Sequence, residues 1–204
     1  MNLDGIKNII FDLGGVVLNI DYHLTEEAFY MLGISKEQIM YSKLEQGGLF
    51  DDLETGRISP SEFRNELREF SFLGLTDLEI DNAWNALLLD LPKKRIDLLK
   101  SLKPKYRTFL LSNTNKIHFN AYSSNLKQEH GMDGLESLFE KTYYSHNLGL
   151  RKPQPEIFKL VLDENGLKAD ETLFIDDSEQ HIKAAQSLGI RTHHITGEEV
   201  VSLF

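Results

Sequence analysis

Short apolar runs alternate along this chain with longer stretches of helical period. Residues 6–11 form an apolar run of strand length that ends at Asp12 and meets Gly14-Gly15, which predicts a buried strand feeding a loop. Residues 16–20 are apolar and β-branched again. From Asp21 the period becomes helical. Leu24, Ala28, Phe29, Met31 and Leu32 share one face, and Gly33 ends that helix. Ser35 and Gln38 have the spacing of a capping pair. Ser59-Pro60-Ser61-Glu62 supplies an N-cap, a proline at the first helical position and a glutamate at N3, ahead of the stripe Phe63, Leu67, Phe70. A fourth helix is expected over 76–89. Beyond Leu91-Pro92 the pattern predicts helix 95–102, strand 107–111, helix 115–129, strand 142–145, helix 156–164, strand 173–175, helix 179–188 and strand 191–195. Strands separated by helices imply an α/β fold with a Rossmann-like, doubly wound parallel sheet. Some 70 helical residues separate its first strand from the rest, as an insertion.

Composition narrows the classes. The 204 residues suit one domain with a modest insertion, and the absence of cysteine excludes disulfides and thiolate zinc sites. The net charge of −10 argues against nucleic acid as a partner. No apolar run is long enough for a membrane span, and no secretory leader is visible, so a cytoplasmic protein, monomeric or weakly dimeric, is expected. The charge is unevenly placed. Residues 21–90 hold 15 acids against 5 bases, and the remainder holds 17 of each.

In open α/β sheets the reactive groups collect at the carboxyl ends of the strands. Here those ends carry Asp12, Ser112-Asn113 and Asp176-Asp177, with Arg151-Lys152-Pro153 just before a helix. Neighbouring carboxylates repel, and Mg²⁺ would relieve that while binding a substrate phosphate. Asp12 is then a candidate nucleophile toward phosphorus, with Ser112, the Asn113 backbone N–H and Lys152 holding the phosphoryl oxygens. The Asp176-Asp177 pair also has the position of an N-cap pair for the helix from Glu179. Trp84 could stack on a sugar, but its helical spacing favours a place in the core of the insertion. His118, His130, His146, His181, His193 and His194 share no ligand spacing and read as structural or exposed.

Four segments carry a family resemblance. Phe11-Asp12-Leu13-Gly14-Gly15-Val16-Val17, Leu111-Ser112-Asn113-Thr114, Arg151-Lys152-Pro153-Gln154-Pro155 and Phe174-Ile175-Asp176-Asp177-Ser178 resemble, in order, the four motifs of the haloacid dehalogenase-like hydrolase superfamily. The resemblance implies a core of residues 1–20 and 91–204 and a helical cap of 21–90. It implies an aspartyl-phosphate on Asp12, Mg²⁺ held by Asp12, the Gly14 carbonyl and Asp177 with Asp176 beside them, and phosphate binding by Ser112 and Lys152. One position departs from the pattern. Gly14 stands where most phosphatases of this kind carry a general-acid aspartate, and Asp21, His23 and Glu45 are the candidate replacements. The Asp-Leu-Gly form, with Gly47-x-x-Phe50 and Glu54-x-Gly56-x-Ile58-Ser59, is similar to a subgroup of sugar phosphatases. The expectation is a Mg²⁺-dependent phosphatase for a small phosphorylated metabolite. The alternatives are a metal-independent haloacid dehalogenase and a non-catalytic phosphate-ligand-binding domain.

Overall fold

The computed structural model describes residues 3–35 and 48–204. Gln38, Glu45 and Gly47 therefore lie outside the described residues. Five parallel strands, β1 (Asn8–Phe11), β2 (Arg107–Ser112), β3 (Lys141–Tyr144), β4 (Thr172–Asp176) and β5 (Arg191–His194), pair in the order β3-β2-β1-β4-β5. The helices are α1 (Tyr22–Met31), α2 (Gly48–Glu54), α3 (Pro60–Glu69), α4 (Asp77–Asn85), α5 (Lys93–Leu102), α6 (Lys116–His130), α7 (Ser145–Leu148), α8 (Pro155–Asn165) and α9 (Glu179–Ser187). Among the described residues none is long and apolar enough to cross a membrane.

The strands alternate between two buried faces, as the two-residue period requires. Ile9, Phe11, Leu110 and Ile175 pack with Ile96 and Leu99 of α5 and Tyr122 and Leu126 of α6. Ile10, Phe109, Leu111 and Phe174 pack with Ile157, Phe158 and Val161 of α8 and Ile182 of α9. The helices between β1 and β2 have a third core of their own, built on Phe29, Phe50, Phe63, Leu67, Ile80 and Trp84.

Helix ends follow their capping chemistry. Ser59 and Glu62 form a reciprocal capping box with Pro60 at N1, and Thr76 and Glu79 form a second. Several boundaries differ from the expected ones by a residue or more, and three have a visible cause. β1 begins at Asn8 because the Ile6 N–H is turned back to the Leu3 carbonyl. α4 stops at Asn85 because the next residues turn toward Ile20: Leu87 N–H donates to Thr25 Oγ1, and Leu88 bridges Ile20. β3 ends at Tyr144, since Ser145 opens α7 and exchanges hydrogen bonds with the Thr114 backbone at 2.9 Å each.

Trp84 is fully buried, ringed by Phe29, Phe50 and Phe63 and stacked on His118 at 4.4 Å between ring centroids. It is core, with no face for a sugar. His118 ties this helical layer to α6. The Asn115 side-chain oxygen accepts from the N–H groups of Ile117 and His118, which caps α6 and turns the amide nitrogen toward His118 Nδ1 at 3.0 Å. Nδ1 is thereby the acceptor, and Nε2–H donates to the Trp84 carbonyl at 3.0 Å. The neutral ring is fully satisfied. Burial lowers its pKa to about 4, against the pull of the Trp84 carbonyl. The unfolded chain therefore takes up a proton in a pH range where the folded chain does not. Stability from this group is complete above about pH 6.5 and falls as pH drops toward 4, by about 3 kcal/mol. Denaturant unfolding across that range is expected to show the loss, and His118→Gln to flatten the slope; an unchanged slope would refute the assignment.

Candidate active site

The sheet register decides which side chains meet. Phe11 lies between Leu110 and Ile175, so the residues that follow β1 and end β2 and β4 emerge together. These are Asp12, Ser112 and Asp176. Lys152 reaches them from the loop before α8. Its Nζ is fully buried and lies 2.7 Å from Asp12 Oδ1 and 2.7 Å from Asp176 Oδ2. The Asn113 side chain fixes this loop from both sides, donating to the Lys152 carbonyl and accepting from its N–H at 2.9 Å each. Asp176 Oδ1 accepts from the Ser178 N–H at 2.8 Å and from His181 Nδ1 at 3.0 Å. The N-cap of α9 is Ser178, so Asp176-Asp177 is not its cap pair. Asp176 is committed to Lys152 and His181 instead.

Charge is concentrated here. Burial raises the Asp12 pKa, Lys152 opposes that, and the repulsion of Asp176 and Asp177 adds to it. Burial also disfavours the charged form of Asp176, but Lys152 and His181 outweigh it and hold the carboxylate well below its usual range. The burial that opposes a charged Lys152 is likewise outweighed by its two carboxylate partners. Carboxylate oxygens of Asp12, Asp176 and Asp177 lie within 4.8 Å of one another. Three such groups against one ammonium leave an excess of negative charge that a hard divalent cation fits. Lys152 and His181 already engage both oxygens of Asp176, so Asp12 and Asp177 are the better placed to bind it.

Two glycines let the first loop close on this centre. Gly15 has φ +73°, and a Cβ there would sit 2.5 Å from Asp177 Oδ2. A Cβ at Gly14 would meet Ile20 Cδ1 at 2.8 Å, so the space in which an acidic side chain would begin is filled by Ile20. Of the expected replacements, Asp21 and His23 do not occupy it. Asp21 accepts from the His23 N–H as the N-cap of α1 and does not line the cleft, and the His23 side chain is exposed.

The cleft over this centre is lined by Asp12, Gly14, Ser112, Asn113, Lys152 and Asp177. Tyr22, Glu54, Arg151 and His181 line it too, and sequence reasoning passed over their roles. Glu54 and Arg151 stand inside the quoted motifs, which was a usable signal. His181 lies one helical turn past the Asp-Asp pair, and its contact with Asp176 corrects its reading as merely structural or exposed. Burial, and the charges of Asp177, Asp12 and Glu54, push the Tyr22 phenol far up, so it stays protonated.

Residues 6–189 match the haloacid dehalogenase-like hydrolase family. The D-ribitol-5-phosphate phosphatase of Bacteroides thetaiotaomicron is 35% identical over 189 residues, spanning 92% of this chain and 90% of that protein. A HAD family enzyme of the same organism, solved with magnesium and inorganic phosphate, superposes with a TM-score of 0.87 at 42% identity, covering 98% of this chain and 99% of that one. A HAD-like hydrolase of Porphyromonas gingivalis gives 0.87 at 36% identity over 97% and 95% of the two chains. With the four motifs brought to one sheet edge and matches that run nearly end to end, the chain belongs to the haloacid dehalogenase-like hydrolase family.

Proposed function

We propose that this protein is a Mg²⁺-dependent phosphatase for a small sugar or polyol phosphate, working through an aspartyl-phosphate on Asp12. One observation carries the reading: the Asp12 carboxylate is held by Lys152 at the sheet edge, beside a second carboxylate, Asp177, suited to a cation. The similarity to a D-ribitol-5-phosphate phosphatase, and to a structure containing magnesium and phosphate, supports it. The carboxylate cluster also favours it over a metal-independent dehalogenase.

In this reading Asp12 attacks phosphorus and the ester oxygen departs with its electron pair; water then cleaves the acyl phosphate and regenerates the carboxylate. Lys152 favours the ionised form of Asp12 and orients it, and its remaining N–H donor serves a phosphoryl oxygen. Ser112 and the Asn113 backbone N–H complete the phosphoryl cradle. Mg²⁺, held by Asp12, Asp177 and the Gly14 carbonyl, supplies charge neutralisation at the phosphoryl group. The helices within 21–90 act as a cap over a core formed by 1–20 and 91–204. The space at position 14 holds Ile20, so no acid from that loop protonates the leaving oxygen.

Asp12→Asn is expected to lower phosphate release from D-ribitol 5-phosphate by about a thousandfold or more while the protein stays folded by circular dichroism. Release near the wild-type rate would exclude Asp12 as the nucleophile. Chelation should abolish the activity and added Mg²⁺ restore it. Gly15→Ala, by displacing Asp177, is expected to raise the Mg²⁺ concentration for half-activation about 10- to 100-fold; direct Mg²⁺ titration by calorimetry should show the same weakening.

A further inference from the structure

The cap side of the cleft holds an ionic cluster that phosphoryl transfer does not use. The Arg151 guanidinium, whose side chain is 17% exposed, lies 2.9 Å from Glu54 Oε2, and its Nη1 donates to Asp51 Oδ1. Both carboxylates come from α2. The Glu54 side chain is only 8% exposed, so it is not a solvated surface charge. The chain just after α2 is pressed against the core: Gly56 has φ +67°, and a Cβ there would lie 2.4 Å from the His146 carbonyl oxygen. Glu54 and Arg151 therefore have fixed places, and both line the cleft that holds Asp12 and Lys152. Apart from those two, the described lining residues include no Asp, Glu, Lys or Arg beyond Asp12, Lys152 and Asp177. Leu87, Leu88 and Ile20 supply apolar wall.

We propose that Glu54 and Arg151 form the subsite for the non-phosphate body of the substrate, selecting an uncharged, hydroxyl-bearing chain and rejecting a second anionic group. The proposal rests on the phosphatase reading above. Glu54 offers carboxylate oxygens to hydroxyl donors, and Arg151 offers N–H groups to hydroxyl oxygens. A vicinal diol meets both needs without carrying net charge. The cluster has two negative charges against one positive. A carboxylate in the same place would face Glu54, with Arg151 already shared between Glu54 and Asp51. The leucine wall favours the carbon chain of the same substrate.

The test compares kcat/KM for D-ribitol 5-phosphate, whose body is uncharged, with that for D-erythronate 4-phosphate, whose body ends in a carboxylate, at fixed Mg²⁺. The wild type is expected to prefer the polyol by at least about tenfold. Glu54→Gln should shrink that preference by about tenfold, and Arg151→Gln should enlarge it. Opposite movements of one ratio cannot come from loss of fold, which lowers both rates together. A ratio that stays within about twofold of wild type in Glu54→Gln, or moves the same way in both variants, overturns the subsite. Turnover of p-nitrophenyl phosphate, and its loss in Asp12→Asn, reports the phosphatase reading separately. If that turnover is absent, both readings fall; if it is present and the ratio is unmoved, only the subsite falls.

Discussion

A fully buried ammonium between two carboxylates is the constraint on which this structure turns. Removing Lys152, Asp12 and Asp176 from water costs several kcal/mol for each ion, and only close, well-oriented pairing offsets it. Each partner is accordingly fixed by a second contact. The Asn113 amide brackets the Lys152 backbone, Ser178 and His181 hold Asp176, and β1 delivers Asp12 from the middle of the sheet. Loss of Lys152 would leave two buried carboxylates uncompensated, which is far more destabilising than an ordinary surface break. The same pairing opposes, without cancelling, the rise that burial gives the Asp12 pKa. Fold and chemistry here draw on one set of contacts.

Helix α6 links the two layers over this centre. Its first turn places Ile117 among the aromatic residues of the helical layer and His118 against Trp84, whereas Tyr122 and Leu126 further along pack on the sheet. Floor and roof of the cleft thus share an apolar, neutral attachment. On the other side they meet through charge, where Arg151 engages α2. An apolar attachment is insensitive to salt, while an ionic one is screened by it only as far as its groups are exposed. The two sides of the helical layer are held by forces of different kind.

The sheet was legible in the sequence because strands buried on both faces read as short apolar runs, and because the punctuation of Gly, Pro and Asp marks their ends. Asp12, Lys152 and Asp177 were legible because fold topology sends strand ends to one edge, whatever their separation along the chain. The rest depended on three-dimensional contacts that leave no periodic trace. Nothing in the spacing of His118 tells that its two ring nitrogens find an amide and a carbonyl. Nothing in the order of residues says that Asp21 is spent as a helix cap, or that His181 turns back onto Asp176. Glu54 was visible as part of a motif, but only the packing of Gly56 against His146 shows why it points at the cleft. Side-chain partners chosen across elements are a property of packing, and one-dimensional pattern does not encode them.

Gly14 and Ile20 illustrate a consequence of such packing for how substitutions combine. The missing side chain and the filled space are one feature, since the Ile20 methyl occupies what a Cβ at position 14 would need. An aspartate at 14 would require the end of the Ile20 side chain to shift, and a smaller residue at 20 would open a void beside the cleft. Each substitution changes the space available to the other. The two positions are therefore coupled: what an acidic side chain at 14 does depends on the residue at 20, and neither substitution can be judged alone.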